Sequence, residues 1–387
     1  MHRVLNRIIL ALTVILAWPV AATAQPAAPI WTSANLTTLQ RWVEAAPQDA
    51  LPKLDMAKVD AIKASGDQAE LNRAATELAL KLARMHLLGS SGTSARTGWN
   101  IADSDRDTAL EPILAQALEA GTLDTFFALL RPNHSEYSSL RAAYSDADLD
   151  EVERAAIARS MERWRWMPRS LGSDYVLVNT ANFEARLWRE GEHVGTWPVI
   201  VGKTSTPTPV FRAEIEGVIF NPWWNIPQSI VHESVGALVR RNPSLARARG
   251  YVWSGGNYRQ RPGPNNALGQ MKLVMPNPYS VYMHDTPGKE KFAEEVRTFS
   301  HGCIRTGDAI GYAATLLEGI KSREEIDAIV ASNKTTRVDL AAPIPVYVTY
   351  FTAVSDGEGG VDILPDVYGR DQRITMAKLE TECSLSG

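Results

Sequence analysis

A chain of 387 residues with 45% hydrophobic and 22% charged side chains carries enough apolar surface for two cores, which excludes disorder as its ground state. Its 40 basic residues stand against 44 acidic ones, a formal charge of −4 with no long single-sign run, so the electrostatic footprint of a nucleic-acid binder is missing.

The chain begins Met1-His2-Arg3, with Arg7 following, and an apolar run from Ile8 to Trp18 leads to Ala22-Thr23-Ala24. A basic start, a short apolar core and a small-residue site form the pattern of an export signal cleaved after Ala24, so residues 1–24 are set aside from the fold. The apolar core is shorter than the roughly 20 residues a spanning helix needs. No membrane span is expected after cleavage, and the mature chain is expected in the periplasm.

Residues 25–168 read as a helical domain. Asp67 to Leu88 places Leu71, Ala75, Leu78, Leu82 and Met85 at three- and four-residue steps, an amphipathic helix. Leu110 to Leu118, Leu123 to Leu130, Tyr137 to Tyr144 and Asp148 to Trp166 continue the pattern, and acidic residues open the last. His86 and His134 fall in this half and are expected to be structural or surface residues.

From Tyr175 the texture changes to short β-rich runs at Tyr175 to Asn179, Phe183 to Trp188, Gly195 to Val201 and Glu214 to Phe220, with Glu190-Gly191-Glu192 as a hairpin turn. Apolar runs follow at Met271 to Met275, Ser280 to Met283 and Ile344 to Phe351, while Val231 to Arg241 and Asp308 to Ile320 read as helices. The fold class expected is α+β: a helical scaffold domain, then a mostly antiparallel β domain with peripheral helices over residues 169–335. Residues 336–387 are expected to be a C-terminal β extension and tail that pack on one of the two.

The chemistry gathers in the second half. A cysteine nucleophile needs a base, a group to orient that base, and donors for the oxyanion formed at an attacked carbonyl. Cys303 lies in Ser300-His301-Gly302-Cys303-Ile304-Arg305, nineteen positions after His284, which ends the run Val281-Tyr282-Met283. Gly302 permits unusual backbone angles just before the thiol. Three other readings stand beside this one: a satisfied core histidine at 284, a disulfide between Cys303 and Cys383, and a zinc site from His284, Asp285, His301 and Cys303. The polar tail around Cys383 suits an unpaired cysteine, and the paired spacings of a strong zinc motif are missing.

His284 followed by this Ser-His-Gly-Cys-Ile-Arg run resembles the signature of the YkuD-type L,D-transpeptidases. Asn221-Pro222-Trp223-Trp224-Asn225-Ile226-Pro227, Arg261 to Gly269, Tyr282 to Pro287, Glu162 to Pro168 and Pro345 to Arg370 are similar to the YcbB-like branch, and the helical half with Leu129-Leu130-Arg131-Pro132 resembles its scaffold domain. Larger members carry a peptidoglycan-binding module and a sizeable lid. This chain is expected to be a short form without the first, and residues 231–258 leave room for only a reduced lid.

The resemblance implies peptidoglycan stem peptides as donor and acceptor, with no metal or organic cofactor. It makes Cys303 the nucleophile and His284 the base, with the Asp285 backbone carbonyl orienting His284. The amides of Gly302 and Cys303, with His301, would hold the oxyanion; Ser300 and Arg305 would support the loop, and Tyr282, Trp224 and Asn225 would line the substrate groove. Hydrolysis by the same Cys/His pair, attachment of a protein to the wall, and an inactive wall scaffold are the alternatives.

Overall fold

The computed structural model describes residues 30–102 and 104–375; the proposed leader and Cys383 lie outside the described residues. The N-terminal half is built from α1 (Ser33–Ala45), α2 (Ala57–Ser65), α3 (Gln68–Leu88), α4 (Leu110–Ala120), α5 (Leu123–Leu130), α6 (Ser135–Tyr144) and α7 (Glu151–Trp164). Side-chain caps start several of them. Thr32 accepts from the Asn35 amide, Asp67 from the Glu70 amide, and Asp150 and Glu153 form a reciprocal capping box that fixes the start of α7. The apolar stripe of α3 buries Leu71, Ala75, Leu82 and Met85 against Leu39, Trp42, Leu114 and Phe127 of α1, α4 and α5.

The β half comprises β1 (Trp99–Asn100), β2 (Tyr175–Asn179), β3 (Glu184–Arg189), β4 (Glu192–Gly202), β5 (Val210–Phe220), β6 (Trp224–Asn225), β7 (Tyr251–Ser254), β8 (Asn257–Gln260), β9 (Met271–Val274), β10 (Met283–His284), β11 (Thr298–Ser300), β12 (Ile304–Thr306), β13 (Thr336–Thr349), β14 (Ala353–Ser355) and β15 (Val361–Ile363). Its main sheet runs β5-β13-β2-β3-β4-β12-β10-β9, and β9 pairs back to β5, so the sheet closes on itself. Around the ring β13–β2 and β10–β12 are parallel and the other pairs antiparallel. The expected turn at Glu190-Gly191 joins β3 to β4 with φ of +52° and +83°, the angles of a two-residue type I′ hairpin.

Strand alternation divides two cores. Val176 and Val178 of β2 and Val346 and Val348 of β13 point inside the closed sheet, where they meet Tyr312, Ala313 and Leu316 of the helix Ala309–Leu316. Tyr175, Leu177 and Tyr347 point outward and pack with Tyr137, Ile157, Met161 and Trp164 of α6 and α7. Because β2 is buried on both faces, the junction near residue 168 is spanned by one continuous core. Residues 336–349, expected in an extension, are instead β13, an internal strand between β5 and β2. The segment Gly288 to Arg297, which reads as helix-like, holds only a short 3₁₀ turn at Lys289–Ala293. Ser280 to Met283 is mostly a loop, with Ser280 at a φ of +54°.

A buried charge cluster ties the scaffold to the junction. Asp49 is fully buried and takes ion pairs of 2.7 Å from both Arg131 and Arg141 and a hydrogen bond from the Tyr137 hydroxyl at 3.2 Å. Close by, His86 packs edge-on against Trp42 with neither ring nitrogen hydrogen-bonded among the described residues. Burial, helped by Arg165 and Arg131 and opposed by Asp49, pushes its pKa down to about 3. Folded His86 therefore stays neutral where the unfolded histidine protonates, and stability is lost as pH falls from the unfolded value of 6.5 toward 3. We expect His86→Leu to make the loss of stability between about pH 6 and about pH 4.5 shallower by about 1.4 kcal/mol per pH unit in urea melts. Equal slopes for the two proteins would show that folded His86 takes up the proton.

Candidate active site

The site forms where β10 and β12 meet. Their parallel register, Met283 with Ile304 and His284 with Arg305, is held by the Ile304 amide donating to the Tyr282 carbonyl at 3.0 Å. Alternate residues share a face, so Tyr282, His284, Cys303 and Arg305 all project to one side of this ladder. Strand β9 adds Lys272, paired opposite His284. Sequence reasoning missed Lys272, a lone cation inside the apolar run Met271 to Met275 whose only signal was its alternation with Met271, Leu273 and Met275.

His284 is buried and its Nδ1 hydrogen-bonds the Asp285 carbonyl. A carbonyl only accepts, so Nδ1 carries the proton and Nε2 is left with the lone pair. Burial pushes the pKa of His284 down to about 3, with Arg305 and Lys272 adding to the effect and the Asp285 and Leu268 carbonyls opposing it. Burial likewise pushes the Cys303 thiol up, against the pull of the Tyr282 amide and hydroxyl, Lys272 and Arg305. The resting pair is a neutral imidazole and a thiol. The thiol's hydrogen bond goes to the Ser280 carbonyl at 3.9 Å, which is offered by a loop clipped on both sides by the Asn277 side chain.

The Ser300–Gly302 loop is locked from several directions. The Gly302 amide donates to Ser300 Oγ at 3.1 Å, and the Ser300 hydroxyl donates in turn to the Cys303 carbonyl. Thr208 bridges the Gly202 amide and the Gly302 carbonyl with two 2.9 Å bonds, and Gly302 sits at a φ of +110°. Thr208, 95 positions from Cys303 in the chain (303 − 208), was also missed.

Three expectations are corrected by this geometry. The Gly302 amide is committed to Ser300 and is no oxyanion donor. His301 is exposed, and its Nε2 meets Glu233 at 2.8 Å and Lys203 at 3.3 Å, so it braces the lid instead of facing the thiol. Adjacent residues of β6 point to opposite faces, so with Trp224 turned toward Tyr282, the exposed Asn225 faces away from the groove. Trp224 and Tyr282 are together at the site: the Tyr282 hydroxyl lies between the side chains of Trp224 and Cys303.

The lid is a helical run over residues 228–241, the helix Pro243–Ala248 and the β7–β8 hairpin, with β6 paired to β8. Its root is apolar, Trp224, Ile226, Val235 and Leu268 packing with Tyr282, and Glu233 latches it to His301. Asp285 accepts from the Gln270 amide at 2.8 Å and pairs with Lys289, a structural role for the side chain. With Asp285 and His301 so engaged, the four zinc donors do not converge, and among the described residues no group of three metal-ligating side chains gathers. Among the described residues Cys303 has no disulfide partner.

This ladder of His284 and Cys303 lies inside residues 173–335, which match the YkuD family model, described as the L,D-transpeptidase catalytic domain; residues 23–143 match the Scaffold domain. The chain carries an L,D-transpeptidase catalytic domain. A Haemophilus influenzae protein assigned as an L,D-transpeptidase is 29% identical over 225 residues, covering 53% of this chain and 46% of its own length. The chain thus spans about half the length of that curated relative. Among solved structures, L,D-transpeptidase 3 of Mycobacterium tuberculosis aligns at 16% identity over 46% of this chain and 61% of its own, with a TM-score of 0.26. A Cys-to-Ser mutant of the Enterococcus faecium L,D-transpeptidase aligns at 13% identity over 68% of this chain and 92% of its own, with a TM-score of 0.24. At these TM-scores the alignments add nothing to the assignment, which rests on the domain matches.

A raised thiol pKa beside a depressed imidazole pKa predicts how Cys303 of the L,D-transpeptidase domain reacts. In a Cys383→Ser background, its alkylation by iodoacetamide is expected to keep accelerating through about pH 9, with one ionisation above the ordinary thiol value. A rate plateau between about pH 5 and about pH 8 would instead reveal a thiolate–imidazolium pair.

Proposed function

We propose that the protein is an exported peptidoglycan L,D-transpeptidase of the YcbB-like branch that works through a Cys303 thioester. The single observation behind this reading is the shared face of His284 and Cys303, set by the β10–β12 register inside the L,D-transpeptidase domain. Export rests on the sequence of residues 1–24, and no helix among the described residues is long and apolar enough to cross a membrane.

The reaction runs in two displacements. The thiol gives its proton to His284 Nε2 as Sγ attacks the carbonyl carbon of a diamino acid in the donor stem, and an S–C bond forms. The C–N bond to the terminal D-residue then breaks, and its amine takes the proton from His284. An amine of a second stem, deprotonated by His284, attacks the thioester; a C–N bond forms, the C–S bond breaks, and the thiol is restored. Because the resting pair is neutral, the proton moves only as the carbonyl is attacked, and the transition state carries the charge. The Cys303 amide and the half-buried Arg305, both next to the sulfur, meet that charge. Tyr282 stays between the sulfur and Trp224 and shields the thioester from water.

Purified wild-type protein incubated with muropeptides carrying four-residue stems is expected to produce cross-linked dimers by mass spectrometry. Cys303→Ala should abolish them, and His284→Ala should lower their rate by about 10²- to 10⁴-fold. Shortened stems without dimers would replace transpeptidation by hydrolysis, and dimers made by Cys303→Ala would sink the nucleophile assignment.

A further inference from the structure

An open cavity of about 370 Å³ lies along β9 beside the thiol, within the ~300–1,000 Å³ range of small-molecule sites. Ile219, Val274, Met275 and Val281 supply apolar wall, and the cavity extends to Tyr282 and to Ser280, whose carbonyl accepts from the Cys303 thiol at 3.9 Å. The one charged side chain of the lining is Lys272. Its Nζ stands 4.1 Å from the centroid of the Tyr282 ring, on the face that carries Cys303, and it has no carboxylate partner among the described residues. A half-buried ammonium facing a cavity without a counter-ion is stabilised when a ligand brings one.

We propose that Lys272 is the specificity residue for the donor stem, binding the terminal carboxylate of the residue that the reaction expels. This rests on the transpeptidase reading of Cys303. Standard bond lengths place that carboxylate carbon about 3–4 Å beyond the scissile carbonyl carbon, and the attacked carbon sits about 3–3.5 Å from the sulfur. A cation on the same strand face as the thiol therefore reads whether the scissile bond is the last peptide bond of the stem. A longer stem places a neutral amide where Lys272 holds an anion. The cavity along β9 would then take the expelled residue, and its apolar wall suits a small side chain.

The test compares a synthetic four-residue stem ending in a free carboxylate with the same stem ending in a carboxamide, following thioester formation on Cys303 by intact mass. Wild-type protein is expected to favour the carboxylate roughly ten- to hundredfold in kcat/KM, the range of a hydrogen bond to a charged group. Lys272→Met should bring that ratio close to one while the carboxamide still reacts, and Lys272→Arg should keep most of the preference. Equal rates for both stems on the wild-type protein would overturn this inference alone, whatever the stability of the variants. A Lys272→Met protein that slows on both stems equally would also overturn it, assigning Lys272 to the thiol. Absence of any thioester on the wild-type protein would overturn the transpeptidase reading, and this inference with it.

Discussion

Two residue pairs of parallel ladder carry this site. The pairing of Met283 with Ile304 and His284 with Arg305 brings residues twenty-one positions apart into register (304 − 283), and strand alternation does the rest. A slip of one residue between β10 and β12 would move Cys303 to the opposite face from His284. So short a ladder cannot hold itself, and the structure braces it from both sides. Strand β9 pairs with β10 and closes the ring through β5, β4 flanks β12, and Thr208 and Ser300 fasten the loop between β11 and β12.

The electrostatics follow from the same placement. Burial sets the ionisation of both groups: it disfavours a charged imidazole at His284 and a charged thiolate at Cys303. Lys272 and Arg305 pull the thiol down but push the imidazole further down, so the two cations cannot create a resting ion pair by themselves. What they provide is a positive surround: Arg305 for charge that appears during the reaction and Lys272 for the substrate carboxylate proposed above. The lid continues this logic, since Glu233 reaches His301 next to the nucleophile's loop while the lid's apolar root rests on Tyr282.

Much of this was legible in the sequence. Periodicity located α3 and its neighbours, the change of texture after Trp166 located the β half, and the run from Ser300 to Arg305 with His284 pointed to the family of the catalytic domain. Orientation of His284 by the Asp285 carbonyl was implied by family resemblance, and the geometry has it. The gaps share one physical cause, contacts between residues distant in the chain. Strand β13 reaches the middle of the sheet through parallel pairing with a strand 170 positions earlier at Val346 and Val176 (346 − 176), which no local pattern encodes. The turn of His301 toward Glu233 joins residues 68 apart, and only the pairing of β9 with β10 sets Lys272 opposite His284. Gly302 shows a different limit: its backbone freedom was readable, but the engagement of its amide by Ser300 belongs to the folded loop.

Acylation of Cys303 can be read from the intact mass of the protein after brief exposure to a four-residue stem peptide without acceptor, with the modified residue mapped by fragmentation. An adduct equal to the stem minus its terminal D-residue, carried on Cys303 and released by an added amine, is expected. A full-length stem adduct, or an acyl group on any residue other than Cys303, would contradict the Cys303 thioester.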